Sequence, residues 1–253
     1  MHDSDKPKYT YFYNASAMAL GGRITRPFDA IIETQAASVL PIDGGMGTSR
    51  VENFRFKEIA SFKSAYSVVT GSQSEEDGSF ATLTSVTIED LNILEVVRAK
   101  RIICRIASRQ PIPEIPADGS LRPSPEPQIV ALGSTFEGLS IGGCDLRVEL
   151  NSDFACTWDR YQIFKEKSKL PELKGMIVCS LVKDIVKASE PACAGLSIDK
   201  NTITVPHFGK IHLAQFLCAP CTRRLVMLRV ELGCSTEGSI DGGCGSGGGT
   251  TYP

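Results

Sequence analysis

The chain has 253 residues, 42% hydrophobic and 22% charged, with 27 basic against 29 acidic side chains and a net charge of −2. That balance excludes a disordered polymer and supplies no global attraction to nucleic acid or an anionic membrane. No apolar run is long enough to span a bilayer, and the length is ample for a self-sufficient core.

The N-terminal stretch MHDSDKPKYTYFYNASAMAL has mixed charges and then aromatics, with no basic segment leading into an apolar one. No secretory signal is predicted, so the cytoplasm is the default compartment, with the cell surface or exterior left for export by another route. Residues 8–14, KYTYFYN, alternate Tyr9, Tyr11 and Tyr13 with Thr10 and Phe12, a strand signal. A second β segment is predicted over 23–39, with Pro27 at an edge or bulge. DGGMGTS at 43–49 is expected to turn, and VENFRFKEI at 51–59 alternates again. SAYSVVTGS at 64–72 is β-branched and runs into the polar SQSEEDGS. The stretch 81–108, rich in Thr, Val and Ile, predicts two or three strands with short turns.

Residues 110–128 contain six prolines and are expected to run extended over the surface, as a long loop or as a boundary between sub-domains. Alternation returns over 129–150. Residues 157–170, TWDRYQIFKEKSKL, depart from it: Thr157 suits an N-cap, Asp159 the first turn, and lysines fill the last turns before Pro171. They predict the one α-helix. Strands are predicted again at 175–182, 201–217 and 224–232. The Gly/Ser-rich remainder, 233–253, is expected to be a flexible tail. The echoes EDLNI (89–93), EGLSI (137–141) and AGLSI (194–198) are unevenly spaced, which suits a recurring way into a strand better than a solenoid. Together these features predict an all-β, antiparallel β-sandwich-like domain over 1–232 with one helix near 157–170.

Nine cysteines (Cys104, Cys144, Cys156, Cys179, Cys193, Cys218, Cys221, Cys234, Cys244) are an odd count, so one at least cannot pair within the chain. Most lie in apolar or Gly-rich surroundings and are expected as free, buried, small hydrophobes. Cys218-Ala219-Pro220-Cys221 is the sharpest motif. A thioredoxin-type pair needs a helix after it, yet Thr222-Arg223-Arg224 leads into LVMLRVEL, which reads as a strand. Arg223 and Arg224 would favour a thiolate there. A zinc site would draw on His207, His212, Cys218 and Cys221, but two histidines five apart on a regular strand face opposite ways, and no second Cys-x-x-Cys exists. The motif is therefore expected at a hairpin corner centred on Ala219-Pro220, its sulfurs close enough to bond. His207 is expected at a strand start.

There is no G-x-S-x-G, H-E-x-x-H or P-loop. Asp145, Glu149, Asp153 and Asp159 could supply a carboxylate pair for sugar hydrolysis, with Trp158 or Tyr161 as a stacking surface. Tyr9, Tyr11, Phe12 and Tyr13 suit a sugar platform or a cross-strand ladder. The basic set Arg98, Lys100, Arg101 and Arg105 has few acidic residues near it in sequence, as on a charged, solvated edge.

Several phrases, YFYNASAMALGGRITRP, RVENFRF, SVTIEDLNILEVVRAKRI, LGSTFEGLSIGG, ITVPHFGKIHLAQFL and RRLVMLRVELG, together resemble a group of uncharacterised bacterial β-rich proteins, including "choice-of-anchor" proteins. The resemblance spans roughly residues 10–238 and implies an all-β domain without an assigned activity or functional residues. The expected function is a non-catalytic structural or interaction role, with self-association into an oligomer, fibre or lattice and no cofactor. The alternatives are a polysaccharide-binding or hydrolysing module and, third, a thiol-redox or zinc protein using Cys218 and Cys221.

Overall fold

The computed structural model describes residues 10–112, 125–151, 153, 160–172, 174–188, 193, 195–233 and 235–252. In chain order the strands of the first half are β1 (Thr10–Tyr13), β2 (Ser16–Arg26), β3 (Ala30–Gln35), β4 (Ser38–Val39), β5 (Gly45–Phe56), β6 (Ala60–Gln73), β7 (Phe80–Ile93) and β8 (Val97–Gln110). Then come β9 (Gln128–Val130), β10 (Thr135–Glu137), β11 (Leu139–Ile141), β12 (Cys144–Leu150) and the helix α1 (Tyr161–Ser168). The chain closes with β13 (Ile177–Ser180), β14 (Val182–Lys187), β15 (Ser197–Asp199), β16 (Thr202–Val205), β17 (Gly209–Ala219), β18 (Thr222–Leu232) and β19 (Glu237–Tyr252).

They build two antiparallel sheets, as the alternation predicts. One is ordered β15-β16-β17-β18-β19-β2-β3, with β1 also on β19, β13 on β17 and β4 on β2. The other is ordered β14-β12-β11-β8-β7-β6-β5, with β9 and β10 also on β8. Inward residues of β6, β7 and β8, such as Val69, Val86, Ile88, Ile102 and Ile106, are buried under β2 and β19 of the facing sheet. Strands from both sides of the Pro-rich segment enter both sheets; residues 113–124 of that segment lie outside the described residues.

The 81–108 stretch resolves into two strands rather than three. Glu95 donates its amide to Asn92 Oδ1 at 3.0 Å across their turn, with Leu94 and Glu95 at positive φ. The predicted turn at 43–49 is shorter than expected, because Gly45 already pairs with Gly71 and the ladder runs on through Ser49↔Ser67. Pro27, after a cis Arg26–Pro27 bond, follows the end of β2, and a second break at Ala36, at positive φ, separates β3 from β4, so 23–39 spans three strands. Of the echoes, EDLNI is the exit of β7, where Ile93 pairs across the hairpin with Val97, whereas EGLSI leads into β11 and AGLSI into β15, as expected of a way into a strand.

The basic set also changes its meaning. β8 lies inside its sheet, and Arg101 sits between Glu89 on β7 at 3.5 Å and Glu137 on β10 at 3.2 Å. The acids facing Arg101 are distant in sequence but adjacent across the ladder, while Arg98 faces Glu95 across the β7–β8 turn at 3.9 Å.

The largest departure is the tail. Instead of a flexible end, β19 is an interior strand, paired with β18 on one side and with β2 and β1 on the other. Its glycines let the two sheets close on each other. A Cβ placed on Gly245 would lie 3.0 Å from Thr84 Cγ2 and 3.2 Å from Cys104 Sγ of the opposite sheet. One on Gly249 would fall 2.3 Å from the Tyr11 ring. The segment is held by two-sided pairing and packing, which composition alone does not register.

Candidate functional site

The β17–β18 register carries the ladder to Ala219↔Thr222, leaving Pro220 and Cys221 as the two-residue turn. Pro220 costs no ladder hydrogen bond there, since it has no N–H to donate. The hairpin is as predicted, but its centre falls one residue later than Ala219-Pro220. The shift separates the two thiols. Cys218 becomes a ladder residue opposite Arg223 and is buried, while Cys221 stays on the exposed turn, and both are free.

Burial pushes the Cys218 thiol up to about 12, against the pull of the Arg223 charge. Cys179, on the neighbouring β13 opposite Phe216 of β17, is also raised by burial. The pair therefore does not present a low-pKa thiol at Cys218, and no helix follows it.

The zinc candidates are not brought together. His207 is not at a strand start but in the turn 206–208, exposed and at φ 59°. His212 lies within β17, its Nδ1 3.0 Å from Thr202 Oγ1 and its Nε2 3.4 Å from Glu231. From His212 to Cys218 is six residues of strand, about 20 Å. Among the described residues no group of three or more His, Cys, Asp or Glu side chains is placed to hold a metal ion.

Of the sugar-stacking candidates, Tyr9 lies outside the described residues and Phe12 is exposed, while the other described ones are core residues. Tyr11 and Tyr13 are buried, and Tyr11 stacks on Phe80 with ring centroids 4.6 Å apart. Tyr161 is 2% exposed. Trp158 and Asp159 lie outside the described residues, as does Thr157, the expected N-cap. The helix begins at Tyr161 with Arg160 as its N-cap and no side-chain cap bond from it. Glu126 serves that end instead, accepting from the Gln162 amide at 3.2 and 3.3 Å.

What the corner does assemble is a buried guanidinium. Residues 223 and 224 point to opposite faces: Arg224 is exposed, whereas Arg223 is fully buried. Helix α1 covers this end of the sheet through Tyr161 and Phe164, the latter edge-on to Phe216 at 6.4 Å. The Arg223 guanidinium carbon lies 5.8 Å from the Tyr161 ring centroid. Its Nη1 donates to the carbonyl oxygens of Ala219 and Thr222, while Nε and Nη2 are buried without an acceptor. Desolvation holds this guanidinium below its ordinary pKa, and Cys218 and then Glu126 are the largest influences in the other direction. Between the corner and α1 opens a depression of about 210 Å³ walled by Gln110, Pro125, Glu126, Tyr161, Pro220 and Cys221, which the Arg223 side chain does not line.

Sequence reasoning named Arg223 only as a helper for a thiolate. The signal that could have found it is parity: Arg223 shares its strand face with the buried Leu225, so it had to point inward. Glu126 and Gln110 come from the two ends of the Pro-rich segment, and only the fold brings them to the corner.

A family model described as a domain of unknown function (DUF8256) matches residues 11–157 and 154–219. No curated protein and no solved structure matches the chain.

Proposed function

This chain belongs to the DUF8256 family of domains of unknown function, and from its geometry we propose that it is a non-catalytic interaction module that pairs with a second copy of itself through strand β5. The observation that carries this reading is the edge. β5 is twelve residues long, ends the nine-stranded sheet, and among the described residues pairs with β6 alone. A long open edge is a template for another strand.

The charges on β5 select which strand. Arg50 and Glu52 sit on the solvent face two residues apart, with Val51 between them. A two-fold axis through Val51 sets each Arg50 opposite the partner copy's Glu52, and Val51 opposite itself. Arg50 and Glu52 are ion-paired to each other within the strand, and an identical strand in that register gives each of them a second, complementary partner across the two-fold axis. The resemblance to choice-of-anchor proteins is compatible with such a role and adds no activity to it.

Sedimentation velocity over a concentration series tests the reading. The intact protein should dimerise, and Glu52→Arg should weaken the dimer. Two like-charge contacts of about 0.7 kcal/mol each amount to roughly tenfold in Kd. The charge swap Arg50→Glu with Glu52→Arg should restore it. A monomer at the highest soluble concentration, or a swap no better than the single change, would overturn the proposal. Among the described residues no helix is long and apolar enough to cross a membrane.

A further inference from the structure

Cys144 and Cys193, whose Cα atoms lie 4.9 Å apart, are joined in a disulfide, whereas Cys104, Cys179, Cys218, Cys221 and Cys244 are free. Two of the free ones are set together by the β13–β17 ladder. Its register puts Ile177 opposite Cys218 and Cys179 opposite Phe216, so the two cysteines are diagonal neighbours. Residues of equal parity on a strand share a face: Ile177, Phe216 and Cys218 are all buried, and Cys179 lies on the same side. Helix α1 closes this face over Phe216 through Phe164.

A diagonal pair has Cα atoms about 7–8 Å apart, beyond the roughly 4.4–6.8 Å that a disulfide spans. An ion between the sulfurs extends that reach by two bonds of about 2.3 Å each. Both thiols also feel one buried cation. Arg223 stands directly opposite Cys218 on β18 and is fully buried. Burial raises both thiols, and the Arg223 charge opposes it at each of them. The carboxylate with the largest influence on Arg223, Glu126, is engaged with the amide of Gln162. Among the described residues β13 pairs with β17 alone, and Cys179 is half-buried, so an ion approaches from its side.

We propose that Cys179 and Cys218 form a two-coordinate site for a soft monovalent metal ion, Cu(I) in chemical class. Thiolate sulfur selects such ions. Binding joins one sulfur to each side of the ion and releases both thiol protons to solvent, and no electron is transferred. A metal deprotonates the thiol it coordinates, so burial of the protonated pair is no bar to loading. Two thiolates and one monovalent cation leave the complex with a single negative charge. Arg223 carries a single positive charge on the same face. A buried guanidinium without a counter-charge is costly, and the loaded site supplies that charge within the core. A divalent ion such as zinc asks for more ligands, and among the described residues no third His, Cys, Asp or Glu joins the pair. The site does not involve β5, so its test and that of self-association are independent.

The probe is Cu(I), added anaerobically as its acetonitrile complex to the full chain in competition with bicinchoninate, which strips loosely held copper. Native mass spectrometry should show one copper retained per chain. Cys179→Ser and Cys218→Ser should each lose it, whereas Cys221→Ser should keep it. Arg223→Gln, which removes the neighbouring charge and leaves both sulfurs, should weaken retention roughly 10–100-fold. Should the variants at Cys218 or Arg223 not fold, the wild-type protein still decides: one equivalent of Cu(I) should protect Cys179 from iodoacetamide and leave the exposed Cys221 reactive. No retained copper, undiminished retention by Cys179→Ser, loss of retention by Cys221→Ser, or labelling of Cys179 as fast with copper as without it would overturn the site.

Discussion

Gly245 of β19 lies directly over Cys104 of β8, so close that a methyl group on the glycine would come within 3.2 Å of the sulfur and 3.0 Å of Thr84 Cγ2. The separation of the two sheets at this point is set by the missing side chain. Gly245→Ala should therefore destabilise by about 1–3 kcal/mol through overpacking, and Gly245→Val by more. Urea unfolding measures this, and Cys104→Ala in the Gly245→Ala background should recover part of the loss. A Gly245→Ala protein as stable as wild type would show that β19 is not packed as described.

Cys144 and Cys193 form a disulfide that closes a separation of 49 residues. It ties the start of β12 to the chain just before β15, joining a strand of one sheet to the approach to the other. The expectation that most of the cysteines are free small hydrophobes does not hold for this pair. Reduction, or Cys193→Ser, should cost about 2–4 kcal/mol by enlarging the unfolded ensemble. Thermal melts with and without reductant should differ for the wild-type protein and coincide for Cys193→Ser.

The hairpin predicts an asymmetry of thiol reactivity. Brief native alkylation near pH 8 followed by peptide mapping should label Cys221, which is exposed, and leave Cys218 unmodified. Burial keeps Cys218 protonated until about pH 12, and access is blocked as well. Equal labelling of both would mean that the corner opens in solution.

Stability should fall on the alkaline side. Cys218 and Cys244 are both raised by burial from an ordinary 9.0 to about 12. Between those values the unfolded chain has released protons that the folded chain retains, so the contribution is full below about pH 9 and is lost as pH rises toward 12. Urea midpoints should decline across pH 9–11, and Cys218→Ala should make the decline shallower. An unchanged slope would assign the alkaline loss to other groups.

Helix α1 holds its end of the sheet through Phe164, which is fully buried against Phe216. Phe164→Ala should cost about 3–5 kcal/mol. If the mutant's stability is unchanged while its helical circular dichroism is lost, α1 does not contribute to the core.

Several features were legible in the chain itself because they rest on local rules. A period of two with β-branched and aromatic residues marks a sheet with one face buried, and every predicted β segment overlaps at least one observed strand, though most run past its ends or across a turn into the next. The helix stood out as a break in that period, and Pro220 followed by a second apolar run announced the hairpin. The parity of Arg223 with Leu225 was also present, masked by reading Arg223 and Arg224 as a pair.

The amino-acid sequence by itself determined the all-β class, the single helix among predicted elements and the corner at Cys218–Cys221, since alternation, capping chemistry and turn residues act over a few positions. Tertiary structure alone decided the rest. It made the glycine-rich end an interior strand, because two neighbouring strands and an opposite sheet supply the pairing and contact that the segment's own side chains cannot. It also placed a lone guanidinium beneath Tyr161 and beside Glu126, residues 62 and 97 positions away, a neighbourhood that only the packing of α1 and the Pro-rich ends onto the hairpin creates.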